Sequence, residues 1–236
     1  MRAYLKTGCL AAMLGALPSQ AQDLASQEIV VTGLRIDQED YSDMMPAIGL
    51  RRPADFLVQS IAIRGDTRDP AQRRREIRTM LTDAIRRAES VGVELAYGDF
   101  ILTRLTVANA EEVTLQNDSR PDSERVVFLV KAPLGGRQGA DAAEAQIERF
   151  IDAVPEVGRA QMDEWGDGTL SIVGPDEYRP QIAALIAQDA NAMAGTMGEG
   201  YKVEVSGLNM PVQWARSGPA EVFLYIPYEL KIVPAP

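Results

Sequence analysis

Between Phe56 and Gly92 the hydrophobic period of the chain changes from two to 3.6, and this change restricts the fold more than any other feature. Phe56 to Ile63 (FLVQSIAI) alternates and is rich in branched side chains, the pattern of a strand. A helix signature follows, with Asp69 as N-cap, Pro70 at the first helical position and Gln72 completing a capping box. Ile77, Met80, Leu81, Ala84, Ile85 and Ala88 then form one apolar stripe, and Gly92 ends the helix. Arg73, Arg74, Arg78, Arg86 and Arg87 fall largely on the other face, with Asp83 four residues before Arg87 for an ion pair. A stripe of that length needs a sheet to cover, so the pattern implies helices packed on sheet faces.

The rest of the chain extends this order. Val93 to Ala96 and Phe100 to Val107 read as strand, interrupted at Tyr97-Gly98-Asp99, and a polar link from Gln116 to Glu124 leads to the strongest β run, Val126 to Val130. Pro133 to Gly139 reads as a loop, and Ala143, Ile147, Phe150 and Ile151 mark a second helix closed by Pro155. Arg159 to Trp165 and Thr169 to Val173 read as the arms of a hairpin around Gly166-Asp167-Gly168. A third helix begins near Pro180 with Ile182, Leu185, Ile186, Ala190 and Met193 on its apolar face. Two last strands, Tyr201 to Ser206 and Glu221 to Val233, flank a loop that holds Trp214. The fold class expected is α/β of the α+β type: mostly antiparallel sheet with three helices on its faces.

At the N-terminus, Arg2 and Lys6 precede an apolar run from Thr7 to Leu17 and the triplet Ser19-Gln20-Ala21, the three-part build of a secretory signal cleaved after Ala21. Export implies a periplasmic or outer-membrane-associated protein, and no other apolar stretch is long enough to span a membrane. Residues 22–54 read as a flexible tether with one extended segment at 28–34, and residues 55–236 as the folded domain.

Composition excludes several chemistries. The chain has 0 histidines and a single cysteine, Cys9, which leaves with the signal. The usual zinc and copper ligands and the Ser-His and Cys-His pairs are therefore missing, and no cofactor or metal is expected. A formal charge of −10, without a basic tract flanked by aromatics, argues against nucleic acid. Asp163 to Gly168 gathers acids and glycines, but Trp165 takes the third position of an EF-hand loop and Gly174 stands where a bidentate Glu is required. Gly135-Gly136-Arg137-Gln138-Gly139 lacks the Lys-Ser/Thr of a phosphate loop. Glu111-Glu112 or Asp176-Glu177 could serve a carboxylate-based hydrolase if such acids converged in space.

Two resemblances add to this. The strand ending in Arg64-Gly65-Asp66, the stretch "AESVGVELAYGDFILTRL", the strand "ERVVFLV", the helix "AEAQIERFIDAV", then "LSIVGPDEYRPQIAALIAQDANAMAG" and "EVFLYIPYEL" together resemble the SIMPL domain family of bacterial envelope proteins. The polar insertion from Asn117 to Asp122 departs from that pattern. The resemblance implies an α/β fold, no catalytic residues and self-assembly. "EIVVTGLR", Glu28 to Arg35, resembles the TonB box region near the mature start of TonB-dependent receptors, whose barrel this chain is too short to form. Glu28, Ile29, Val30, Val31, Thr32 and Gly33 are accordingly the candidate partner-binding residues. They would stay loosely held in the isolated protein and order by strand addition to an envelope partner or a second copy, or else pair with the domain's own sheet edge. The function expected is a non-enzymatic envelope interaction module, with a TonB-system accessory and a carboxylate-based hydrolase as alternatives.

Overall fold

A computed structural model describes residues 28–31, 45–98, 101–135 and 139–235. The chain is an α+β protein with three helices among the described residues and mostly antiparallel sheets. The signal segment, Thr32 and Gly33 lie outside the described residues.

The strand β3 (Phe56–Gly65) pairs antiparallel with β7 (Glu124–Pro133) along its whole length, in register Phe56 to Pro133 through Gly65 to Glu124. Their alternation sorts the two faces. Ile61, Ile63, Val126, Phe128 and Val130 are buried on one side, where α1 (Pro70–Val91) and α2 (Ala140–Ala153) pack. Gly65 lets α1 pack closely, since a Cβ there would sit 3.1 Å from Ile77. Arg64 and Arg125 stand opposite each other on the other side. The sheet continues through β4 (Glu94–Tyr97) to β5 (Thr103–Arg104), while β6 (Gln116–Asn117) folds back on β7.

The helix signals hold locally. Asp69 accepts the Gln72 backbone N–H at 2.6 Å, and Gly92 caps α1 in the left-handed region. The Gln72 side chain does not return to Asp69 as a capping box requires; it donates to Glu76 at 2.9 Å. Asp83 pairs with Arg86 and not with Arg87. Arg73 is buried, because it meets Glu124 of β7 at 2.8 Å.

The segment after α2 corrects the hairpin expectation. The strands β8 (Ala160–Glu164) and β9 (Thr169–Val173) do not pair with each other; both pair antiparallel with β3, at Ile61 to Gly65 and at Phe56 to Val58 respectively. They are two halves of one strand interrupted by residues 165–168, four residues standing against Gln59 and Ser60 of β3. This is an enlarged bulge, with Gly166 at φ 77. Gln59 holds it by donating to the Gly166 carbonyl at 2.8 Å, and the Trp165 N–H donates to Ser60 O at 2.8 Å.

The outer edge of β9 takes β1 (Glu28–Val31), in register Glu28 to Val173 through Val31 to Leu170. The expectation that this segment orders only on a partner is corrected for Glu28–Val31: the open main-chain groups of β9 are satisfied from within the chain. Folded structure also starts before Asp55, because β2 (Leu50–Pro53) pairs with β12 (Glu221–Tyr225), whose other neighbour is β11 (Gln213–Arg216). Trp214 thus lies in a strand and not in a loop.

The expected last strand is likewise two. Glu221–Tyr225 ends before Pro227, and β13 (Glu229–Pro234) pairs instead with β10 (Tyr201–Ser206) as a separate two-stranded sheet. The helix α3 (Arg179–Met197) packs on β10 and buries Ile182, Ile186 and Ala190, but Met193 is 41% exposed. One apolar cluster joins Phe128, Ile147 and Phe150 to Ile182, Ile186, Val222 and Leu224, so the sheets and helices share a core.

Candidate functional site

At the C-terminal end of β3, three segments enclose a polar cavity of about 440 Å³: Arg64 to Asp66, the loop Asp118 to Ser123 between β6 and β7, and Glu156 to Gln161 leading into β8. The loop is the polar insertion of the sequence, now a wall. Arg125 Nη1 anchors its base on Asp118 at 2.7 Å, and the Ser123 hydroxyl donates to the same carboxylate at 3.3 Å. The Ser119 backbone N–H and then the Ser123 and Arg125 side chains hold the Asp118 carboxyl below the usual range.

Across the cavity, Arg159 grips Asp66 with Nε at 2.6 Å and Nη2 at 2.8 Å, a two-bond fork that lowers the Asp66 pKa. Gly158 beside it has φ 61, and a Cβ there would collide with the Glu76 carboxylate. Glu76 is stabilised as an anion chiefly by the Thr67 hydroxyl, then by Gln72 and the Arg159 N–H.

The third feature is the stack on the face of the sheet away from α1. Arg64 and Arg125 are direct cross-strand neighbours of like charge, an arrangement that costs stability. The bulge swings Trp165 over both, with its ring centroid 5.0 Å from the Arg64 guanidinium carbon and 4.2 Å from that of Arg125. The Nε of each arginine is buried without a hydrogen-bond partner. Asp118 neutralises Arg125, but no described carboxylate pairs with Arg64.

A second cavity, of about 290 Å³, lies on the helix side of the bulge and gathers Glu144 and Glu148 of α2 with Glu164, Asp167 and Arg216. Its four carboxylates are exposed at the rim. They stand open to water and do not converge in a desolvated cleft. Among the described residues no group of three or more acids is placed to hold a metal ion. The acid pairs singled out in the sequence part company: Glu111 meets Arg78 at 3.4 Å, Glu112 accepts from the Tyr97 hydroxyl, Asp176 accepts the Val212 N–H at 3.1 Å, and Glu177 is exposed.

Of the predicted partner-binding residues, Glu28, Ile29, Val30 and Val31 are the strand beside β9. The Arg64, Arg125 and Trp165 cluster was not among the candidates. Its sequence signal was an arginine near one end of each of two mainly apolar strands, with a tryptophan beside a glycine pair.

No family model matches the chain, and no curated protein matches it. Among solved structures the chain is similar to a hydrolase from Listeria innocua, at 12% identity over 81% of this chain and 97% of that one, with a TM-score of 0.17. An uncharacterized conserved protein from Listeria innocua aligns at 10% identity over 83% of this chain and 97% of that one, with a TM-score of 0.16. Neither likeness is close enough to carry an activity to this chain.

Proposed function

We propose that the chain is an exported, non-catalytic interaction module that assembles with a second copy of itself through the open end of α3 and the β10–β13 sheet. One observation carries this reading: Met193, Met197, Tyr201 and Ile232 are large apolar side chains exposed by 39–50% around a two-stranded sheet. Tyr201, Val203 and Val205 alternate on one face of β10, and their partners Pro234, Ile232 and Leu230 continue that face. It meets α3 near Val205 but is left uncovered toward Tyr201.

The outer edge of β10 pairs with no described strand. A second copy could therefore add its own β10 edge to edge and cover the apolar end in the same contact, as an isologous pair requires. Flexible methionines suit such a surface. Asp66 and Asp118 at the larger cavity are held as anions, Asp66 chiefly by Arg159 and Asp118 chiefly by the Ser119 backbone N–H, a state that positions side chains and does not deliver protons. A TonB-accessory role for Glu28 to Gly33 would need β1 to leave β9 first.

Sedimentation velocity over a hundredfold concentration range tests the assignment. The wild type is expected to shift from monomer to dimer, and Met197→Glu and Ile232→Glu to remain monomeric with unchanged melting temperature. A wild type that stays monomeric throughout overturns the assembly reading.

A further inference from the structure

We infer that the cavity at the end of β3 binds a phosphate group, with Arg64 and Arg120 as its ligands. Arg64 projects from the sheet as a guanidinium with a buried, unbonded Nε, stacked on Trp165, with no described carboxylate partner. Arg120 stands on the facing loop, exposed and likewise without a described ion pair. The other cations around the cavity are already neutralised, Arg159 by Asp66 and Arg125 by Asp118. Glu156 also lines the cavity, where it accepts from Gln161 at 3.2 Å. Two guanidinium groups without a described salt bridge thus share one opening, beside a single carboxylate, Glu156, that has none either, in a chain whose formal charge is −10.

The arrangement is costly without a ligand. Arg64 and Arg125 repel across the β3–β7 ladder, and one acid serves only one of them. A bound anion would remove that repulsion at its source. Planar guanidinium forks match the oxygens of phosphate and of carboxylate alike, so the number of oxygens decides between them. A phosphate monoester presents three acceptor oxygens, enough for both guanidinium groups and a further donor at once, whereas a carboxylate presents two. The Ser119 hydroxyl lines the same opening and can donate to a third oxygen. The cavity, about 440 Å³, is large enough for a small organic phosphate and open enough for a lipid headgroup to enter.

Titration calorimetry of the full chain with inorganic phosphate and with glycerol phosphate at low ionic strength is the direct test. Trp165 emission, followed in a Trp214→Phe background, gives an independent readout at the site. One phosphate per chain is expected, with a change in Trp165 emission and at least tenfold weaker binding in Arg64→Gln and Arg120→Gln. Arg86→Gln, on the exposed face of α1, should bind as the wild type does. Because Arg120 is exposed on a loop, its variant reports on binding even if Arg64→Gln is unstable. Co-sedimentation with phosphatidate vesicles identifies the source: capture that needs Arg64 and Arg120 and outcompetes soluble phosphate assigns a lipid headgroup, and soluble binding without capture assigns a free phosphate. Absence of saturable phosphate binding, binding that survives both substitutions, or acetate binding as tightly as phosphate each overturns the assignment. None of these outcomes depends on whether the chain dimerises.

Discussion

The strands β3 and β7 pair over ten residues under two helices, whereas β10 and β13 pair over six with one helix on one face. Both pairs are antiparallel and both alternate, so the ladder itself does not separate them. What separates them is the cover. In the central pair Ile61, Ile63, Val126, Phe128 and Val130 are almost wholly withdrawn from water, while no residue of β10 or β13 is fully buried. A two-stranded sheet has no third strand to spread its apolar face, so the distal half of that face is open. The centre is built for stability, and the two-stranded sheet is the part of the molecule with surface left to offer.

The largest expected effect breaks the centre. Phe128 is 1% exposed on the helix face of β7, and truncating a buried aromatic costs about 3–5 kcal/mol. Phe128→Ala should lower the denaturation midpoint strongly in urea or heat, and a loss no greater than that of a substitution in β10 or β13 would erase the contrast.

The next effect is electrostatic and tests the same centre by pH. Glu124 is buried between Arg73 and Arg74, with Nε of each at 2.8 and 3.0 Å. The Arg74 hydrogen bond, then that of Arg73, holds its carboxyl below the ordinary glutamate range. A depressed carboxyl contributes stability in full above its unfolded pKa, about pH 4.3, and loses it as pH falls through the lower native value. Removing one partner of a buried pair costs about 3 kcal/mol or more. Glu124→Gln should therefore destabilise at pH 7, and the gap to the wild type should close as both are melted at progressively lower pH below 4. Arg74, which looks like a solvent-facing helix cation, should share part of this loss in Arg74→Ala.

These cases mark where sequence patterns suffice. The period change at Phe56 to Gly92 located β3 and α1 because burial there follows directly from side-chain alternation. Arg73 escaped because a helical wheel does not show that a carboxylate on another strand can reach it. The segment 160–173 escaped for a similar reason: Gly-Asp-Gly fits a hairpin turn, and nothing local tells two arms that pair with each other from two halves of one strand on β3. Pro227 gave a signal for the break between β12 and β13, but the length of the apolar run concealed it. The Arg64, Arg125 and Trp165 cluster depends on the β3–β7 register and on that bulge together, so it follows only from the tertiary pairing.

The smallest effect sharpens the comparison by using the same chemistry in the other region. Lys202 and Glu204 lie two residues apart on β10, with Nζ 3.0 Å from the carboxylate oxygen, and both side chains are about half exposed, at 51% and 57%. Water screens the pair, and ordering a long lysine costs entropy that offsets the attraction. Neither partner is left buried when the other is removed, so the penalty that makes Glu124→Gln severe has no counterpart here. Lys202→Ala should shift the melting temperature by less than the scatter of repeat scans, and raising the salt concentration should not change that result. A clear destabilisation would mean that the polar face of the β10–β13 sheet is covered in solution, which places the contact between copies on that face and not on Met197 and Ile232.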